Sequence, residues 1–204
     1  MPFLEAIEEF IRRGTIEGGG LGILTPEEFY ALSDAYRTRA FTASRLLTEE
    51  LVRRAYDALV AALEQGGTLR DFARALGAGE VVAGPGSTGY LETVFRTNIQ
   101  GAYGAGRYRQ IKAIASDPDL AAARPYVEYR TAGDNRVRPA HVALDRTVYR
   151  VDSAAWERIA PPNGFNCRCS MVLRRARDVD ARRVIDDPPE RADDGFDAPP
   201  APEL

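Results

Sequence analysis

A chain of 204 residues with 45 % hydrophobic content has enough apolar surface for one or two small folded domains. No apolar run approaches the ~20 residues that would cross a bilayer, which excludes a membrane-spanning helix; the opening segment has neither a basic start nor an unbroken apolar stretch, so no secretory leader is expected. The net charge of -3 conceals an asymmetry: residues 186–204 hold seven acids against one base, leaving the rest of the chain basic. Between Arg96 and Arg150 ten basic residues face five acidic ones, a surface that suits either solvent or an acidic partner such as nucleic acid.

In chain order, Phe3, Leu4, Ile7, Phe10 and Ile11 recur at helical spacing, and the glycines at 18–20 break that helix. Thr25-Pro26 with Glu28 reads as the start of a second helix to about residue 39. Thr48 precedes the apolar stripe Leu51, Ala55, Tyr56, Leu59, Val60 and Leu63, stopped by Gly66-Gly67. Thr68 with Asp71 opens a shorter helix, and the glycine-rich stretch 77–89 reads as a hinge. From about Tyr90 a long helix is expected to turn Leu91, Val94, Phe95, Ile99 and Tyr103 inward. Gly101, Gly104 and Gly106 weaken it by up to ~1 kcal/mol each, so their use is close packing against a neighbour.

The periodicity then changes. Residues 126–131 alternate as a strand does, residues 132–135 form a turn, and residues 147–151 are a second strand. Asp152-Ser153 opens a short helix through Trp156 and Ile159, ended by Pro161-Pro162-Asn163-Gly164. Cys167 to Leu173 reads as a last strand with Cys167, Cys169 and Met171 on one face. The acidic, proline-rich end cannot bury enough apolar surface to order itself. The expected architecture is α+β: a helical N-terminal region (1–88), a long helix packed on a small antiparallel β-sheet (89–178), and a disordered acidic C-terminal tail (179–204).

The only histidine, His141, and both cysteines, Cys167 and Cys169, fall within thirty positions. Two thiolates and one imidazole are three ligands of the right softness for zinc, with a fourth to come from Asp134, Asp145 or water. The same residues also read as two small buried apolar side chains and a hydrogen-bonded core histidine. In that case Asp134, Arg136, Arg138 and His141 lock their own segment to the carbonyls around Pro161, Pro162 and Gly164, while Arg168 points away from the cysteines to meet a carboxylate or a phosphate.

Tyr129-Arg-Thr-Ala-Gly-Asp134, Arg136-Val-Arg138-Pro-x-His141, Leu144-Asp145, Trp156 and Pro161-Pro162-Asn-Gly164-x-x-Cys167-Arg168-Cys169 follow one another in an order and spacing that resembles the phage Mu F-like minor head morphogenesis family. The resemblance covers roughly residues 90–175. In this chain Arg138 and Gly164 stand where members with a fuller cysteine set would carry further ligands. The family implies a minor capsid component of a tailed phage or prophage, in several copies per virion, at the head interior or portal vertex. Its implied partners are the portal or the major capsid protein, with packaged double-stranded DNA as a further contact of the basic middle, and no membrane. No catalytic residue is expected on this reading. The alternative is a nucleic-acid-cleaving enzyme in which His141 acts with Arg136 and Arg138, or in which a zinc-bound water attacks a phosphodiester.

Overall fold

The structure, a computed structural model, describes residues 49–77, 87–197 and 199–200. The two leading helices expected at residues 3–11 and 25–39 and most of the glycine-rich hinge lie outside the described residues.

Helix α1 (Glu49–Gln65) ends at Gly66, whose φ of +79° is the left-handed conformation that glycine adopts without strain. Helix α2 (Leu69–Ala75) begins with the expected capping box. The Thr68 hydroxyl accepts from the Asp71 amide at 3.3 Å, and the Asp71 carboxylate accepts from the Thr68 amide at 3.0 Å. The long helix α3 (Ser87–Ser116) is followed by α4 (Pro118–Ala123), which Asp117 caps by accepting from the amides of Asp119 and Leu120.

Strand β1 (Tyr126–Arg130), helix α5 (Pro139–Leu144), strand β2 (Val148–Arg150), helix α6 (Trp156–Ile159) and strand β3 (Ser170–Arg174) complete the regular elements, with two short 3₁₀ turns after them. The sheet is antiparallel in the order β2-β1-β3, with Val127 opposite Tyr149 on one side and Leu173 on the other. The expected small antiparallel sheet beside a long helix is therefore present, although β3 starts at Ser170 and the two cysteines sit in the loop just before it.

Two cores share α3. Its first half packs Leu91, Val94 and Ala102 with Tyr56, Leu59, Leu63, Phe72 and Leu76 of α1 and α2. Its second half packs Ala105, Tyr108 and Ile111 with Val127, Tyr129, Leu144, Tyr149, Trp156, Cys167, Cys169 and Met171. Tyr103, expected inward, is 40 % exposed: it falls on the side of α3 opposite its buried glycines and alanines, where a phenol can stay hydrated. Of the three helix glycines, Gly104 shows why it is glycine. A Cβ there would run into the Pro161 carbonyl oxygen and come within 2.9 Å of Pro162 Cδ, so the helix backbone lies directly against the cis Pro161–Pro162 turn.

Within residues 179–204, expected as a disordered tail, the chain beyond Arg183 lies back on the domain as far as it is described. Val184 bridges Val148 in parallel, the Ile185 amide donates to the Val148 carbonyl at 2.9 Å, and Phe196 is buried. The few apolar residues among its acids supply the contacts that overall composition obscured.

Candidate metal centre

His141 comes from α5, where Pro139 in the first turn fixes the entry to the helix and Leu144, one turn on, anchors it in the core. The preceding turn is built by Asp134, whose carboxylate accepts from its own Arg136 amide at 3.0 Å and pairs with both guanidinium nitrogens of Arg168 at 2.6 Å. That two-pronged pair ties the turn after β1 to the residue between the cysteines, and the Arg168 guanidinium holds the Asp134 carboxyl well below the usual carboxylate range. Arg138 donates to the Phe165 carbonyl at 2.7 Å, the second tie between the two loops. Asp145 closes the first loop by accepting from the Thr131 amide and hydroxyl at 2.8 and 2.9 Å. Asp134 and Asp145 are thus structural acceptors, and neither joins the sulfurs: a carboxylate already satisfied by a guanidinium or by backbone amides has no reason to leave them.

The cysteine loop is fixed from the α3 side. Asn166, in a left-handed conformation that asparagine tolerates (φ 56°), donates its backbone amide to the Thr97 hydroxyl at 3.3 Å and its side-chain amide to the Thr93 hydroxyl at 3.1 Å. Gln100 donates to the Cys169 carbonyl at 3.1 Å.

With both loops held, three donor atoms converge. His141 Nδ1 lies 3.5 Å from Cys169 Sγ and 3.8 Å from Cys167 Sγ, and the three side chains are only 2–3 % exposed. Their ligand atoms all fall within 4.8 Å of one another, so His141, Cys167 and Cys169 could together hold a metal ion. The two thiols are not equivalent. The Cys169 thiol and the backbone amides of Asn163 and Cys169 donate toward Cys167, which favours its thiolate, while sharing that proton and burial push Cys169 the other way. Around them, Asn163 donates to the Tyr129 hydroxyl at 3.1 Å, and Tyr129 in turn bonds Cys169. The other ring nitrogen, His141 Nε2, has no hydrogen-bond partner among the described residues; the group facing it is Asp193 Oδ1 at 4.0 Å.

The structure brings together His141, Cys167 and Cys169, with Arg138, Gly164, Pro161 and Pro162 in the loops that frame them. Trp156 lies elsewhere in the same core, edge-on to Tyr149 at 5.1 Å and donating to the Arg150 carbonyl at 3.2 Å. Arg136 is on the outer rim, 3.7 Å from Asp134. Sequence reasoning missed the roles of Tyr129, Asn163, Asn166 and Gln100. The asparagines stood inside a motif already singled out, whereas Gln100, on a helix about seventy positions away, carried no signal.

The phage Mu protein F like family matches residues 54–172, more than half of the chain. The chain belongs to this family. It is 32 % identical over 171 residues, 75 % of its length, to the putative capsid assembly protein F of Escherichia phage Mu, and covers 36 % of that protein. It is 38 % identical over 84 residues, 41 % of its length, to the Mu-like prophage FluMu F protein of Haemophilus influenzae, covering 19 % of it. The F-like chain therefore spans about a third or less of these curated relatives. No solved structure matches it significantly.

Proposed function

We propose that this F-like chain works in phage head assembly as a non-catalytic docking component, and that its C-terminal half is a fold stapled by zinc. The observation that carries the reading is the burial and spacing of His141, Cys167 and Cys169. A tetrahedral zinc with ordinary bond lengths keeps a sulfur and an imidazole nitrogen about 3.6 Å apart. The two distances of 3.5 and 3.8 Å fit that requirement, and the donor set is one that selects a soft ion. Zinc would supply a crosslink between α5 and the loop before β3, adding to the ties that Arg138 makes to the Phe165 carbonyl and Arg168 makes to Asp134.

A structural role is favoured over nucleic-acid cleavage by the same burial. The His141 ring is almost fully covered, Arg138 is engaged by the Phe165 carbonyl, and Arg168 is neutralised by Asp134; Arg136 stays exposed on the rim beside Asp134, so among the described residues the exposed guanidinium has no exposed imidazole to act with. Among the described residues no helix is long and apolar enough to cross a membrane. We assign the docking partners as the portal or the major capsid protein, with packaged DNA as a further contact of the basic middle. Co-expression with portal and capsid proteins tests this: the chain should co-purify with one of them and be required for proper heads, with about one zinc per chain by metal analysis. Free, metal-free protein that hydrolyses DNA would overturn it.

A further inference from the structure

The acidic C-terminal segment returns to the cluster at one residue. Asp193 donates its amide to the Asn163 carbonyl at 3.0 Å, and its own carbonyl accepts from the Phe196 amide at 2.9 Å. Phe196 is buried with its ring edge-on to Phe165 at 5.2 Å. The carboxylate thus hangs over the Pro161–Phe165 turn, with Oδ2 3.7 Å from Arg138 Nε and Oδ1 4.0 Å from His141 Nε2. Position 164 is glycine where this carboxylate comes down: a Cβ there would collide with Asp193 Oδ2 and meet Arg138 Nη1 at 3.1 Å. The buried ring nitrogen, without a hydrogen-bond partner among the described residues, and the glycine cradle are independent features, and both point to the same acid.

Resting on the zinc reading above, we infer that Asp193 is the outer carboxylate of the metal site, and that residues 193–196 form a strap whose docking and metal binding reinforce each other. Metal-binding imidazoles commonly donate their second N–H to a carboxylate, which fixes the tautomer and raises ligand basicity. Here Nδ1 faces the sulfurs and Nε2 faces Asp193, the arrangement that role requires. Coordination of a cation at Nδ1 withdraws electrons from the ring and makes the Nε2–H a stronger donor, drawing the carboxylate into hydrogen-bond range. Because coupling is reciprocal, the factor by which the docked strap tightens zinc binding is the factor by which zinc holds the strap down.

The test uses the full chain with zinc(II) alone as the probe. Zinc affinity is measured by competition with a chromophoric chelator for the wild type, Asp193→Ala, Asp193→Asn, Gly164→Ala and, as an equal change of charge nearby, Asp194→Ala. Cobalt(II) spectra check that the sulfur ligands are kept. Tryptic cleavage after Arg191 is timed with and without zinc. Asp193→Ala is expected to weaken zinc by about 10–100-fold with its cobalt–thiolate bands retained, Asp193→Asn by less, and Asp194→Ala not at all. Gly164→Ala should behave as Asp193→Ala does, since its methyl takes the carboxylate's place. Zinc should slow cleavage at Arg191 in the wild type and in Asp194→Ala but not in Asp193→Ala. Equal zinc affinity in Asp193→Ala and Asp194→Ala, or cleavage at Arg191 indifferent to zinc, overturns the strap while leaving the zinc staple standing. A wild-type chain that binds no zinc overturns both.

Discussion

Around the first half of α3, Leu59, Phe72, Leu76 and Leu91 are packed almost wholly among apolar side chains, and the buried polar residue there, Asn98, is satisfied by the Val94 carbonyl of its own helix. Around the second half, the buried set includes His141, Asn163, Tyr129 and two thiols, each placed by a hydrogen bond to a distant segment. One helix therefore joins a core that needs only volume and hydrophobicity to a core whose atoms must point in given directions. The first should tolerate apolar exchange; the second should lose its geometry when any member changes, and it alone should respond to metal.

The contrast can be tested from its strongest effect downward. Phe72→Ala should remove ~3–5 kcal/mol in chemical unfolding, because a fully buried ring that packs on Phe95 at 5.5 Å leaves a cavity; zinc or a chelator should not change that loss. His141→Ala and Cys169→Ser should cost about 1–3 kcal/mol each in metal-free protein, by leaving buried polar groups without their partners. In both, the rise in melting temperature that zinc gives the wild type should vanish. A zinc response retained in either variant would erase the distinction between the cores.

Gly104→Ala should be smaller and reversed in sign from the usual rule. Alanine gains up to ~1 kcal/mol over glycine within a helix, but here its methyl meets the Pro161 carbonyl, and such overpacking costs about 1–3 kcal/mol. Gly89→Ala, on the same helix with open space around it, should not destabilise. The smallest effect concerns acid. The Asp134 carboxyl is held below its ordinary range by Arg168, so its contribution is complete above about pH 4, the range of a free carboxylate, and is lost as pH falls further. The acid-induced fall in melting temperature should therefore be shallower in Asp134→Asn than in the wild type.

Local rules made much of the fold legible. The Thr68–Asp71 box, the stop at Gly66 and the stripe from Leu51 to Leu63 each involve residues within a few positions of one another, so their chemistry is visible in the string itself. Tyr103 was misread because an inward stripe and a helix face lined by glycine and alanine both obey the same spacing; which face is buried depends on the neighbour. In the site, the clustering of His141, Cys167 and Cys169 announced the candidate donor set, Arg138 was recognised as a loop tie, and Arg168 as a partner for a carboxylate or a phosphate. Their acceptors, the Phe165 carbonyl and Asp134, depend on two loops meeting.

By itself the sequence determined most of the described helices and strands, though not α5 or the start of β3, together with the family and three candidate donors, because caps, periodicities and motif spacings are short-range properties. Only the tertiary structure decided which ring nitrogen faces the sulfurs, that Asp134 and Asp145 are acceptors of donors from the protein and not ligands, and that Asp193, fifty-two positions beyond His141, returns beside it. Those outcomes rest on directions and distances between remote segments, which a linear pattern of charge and hydrophobicity does not encode.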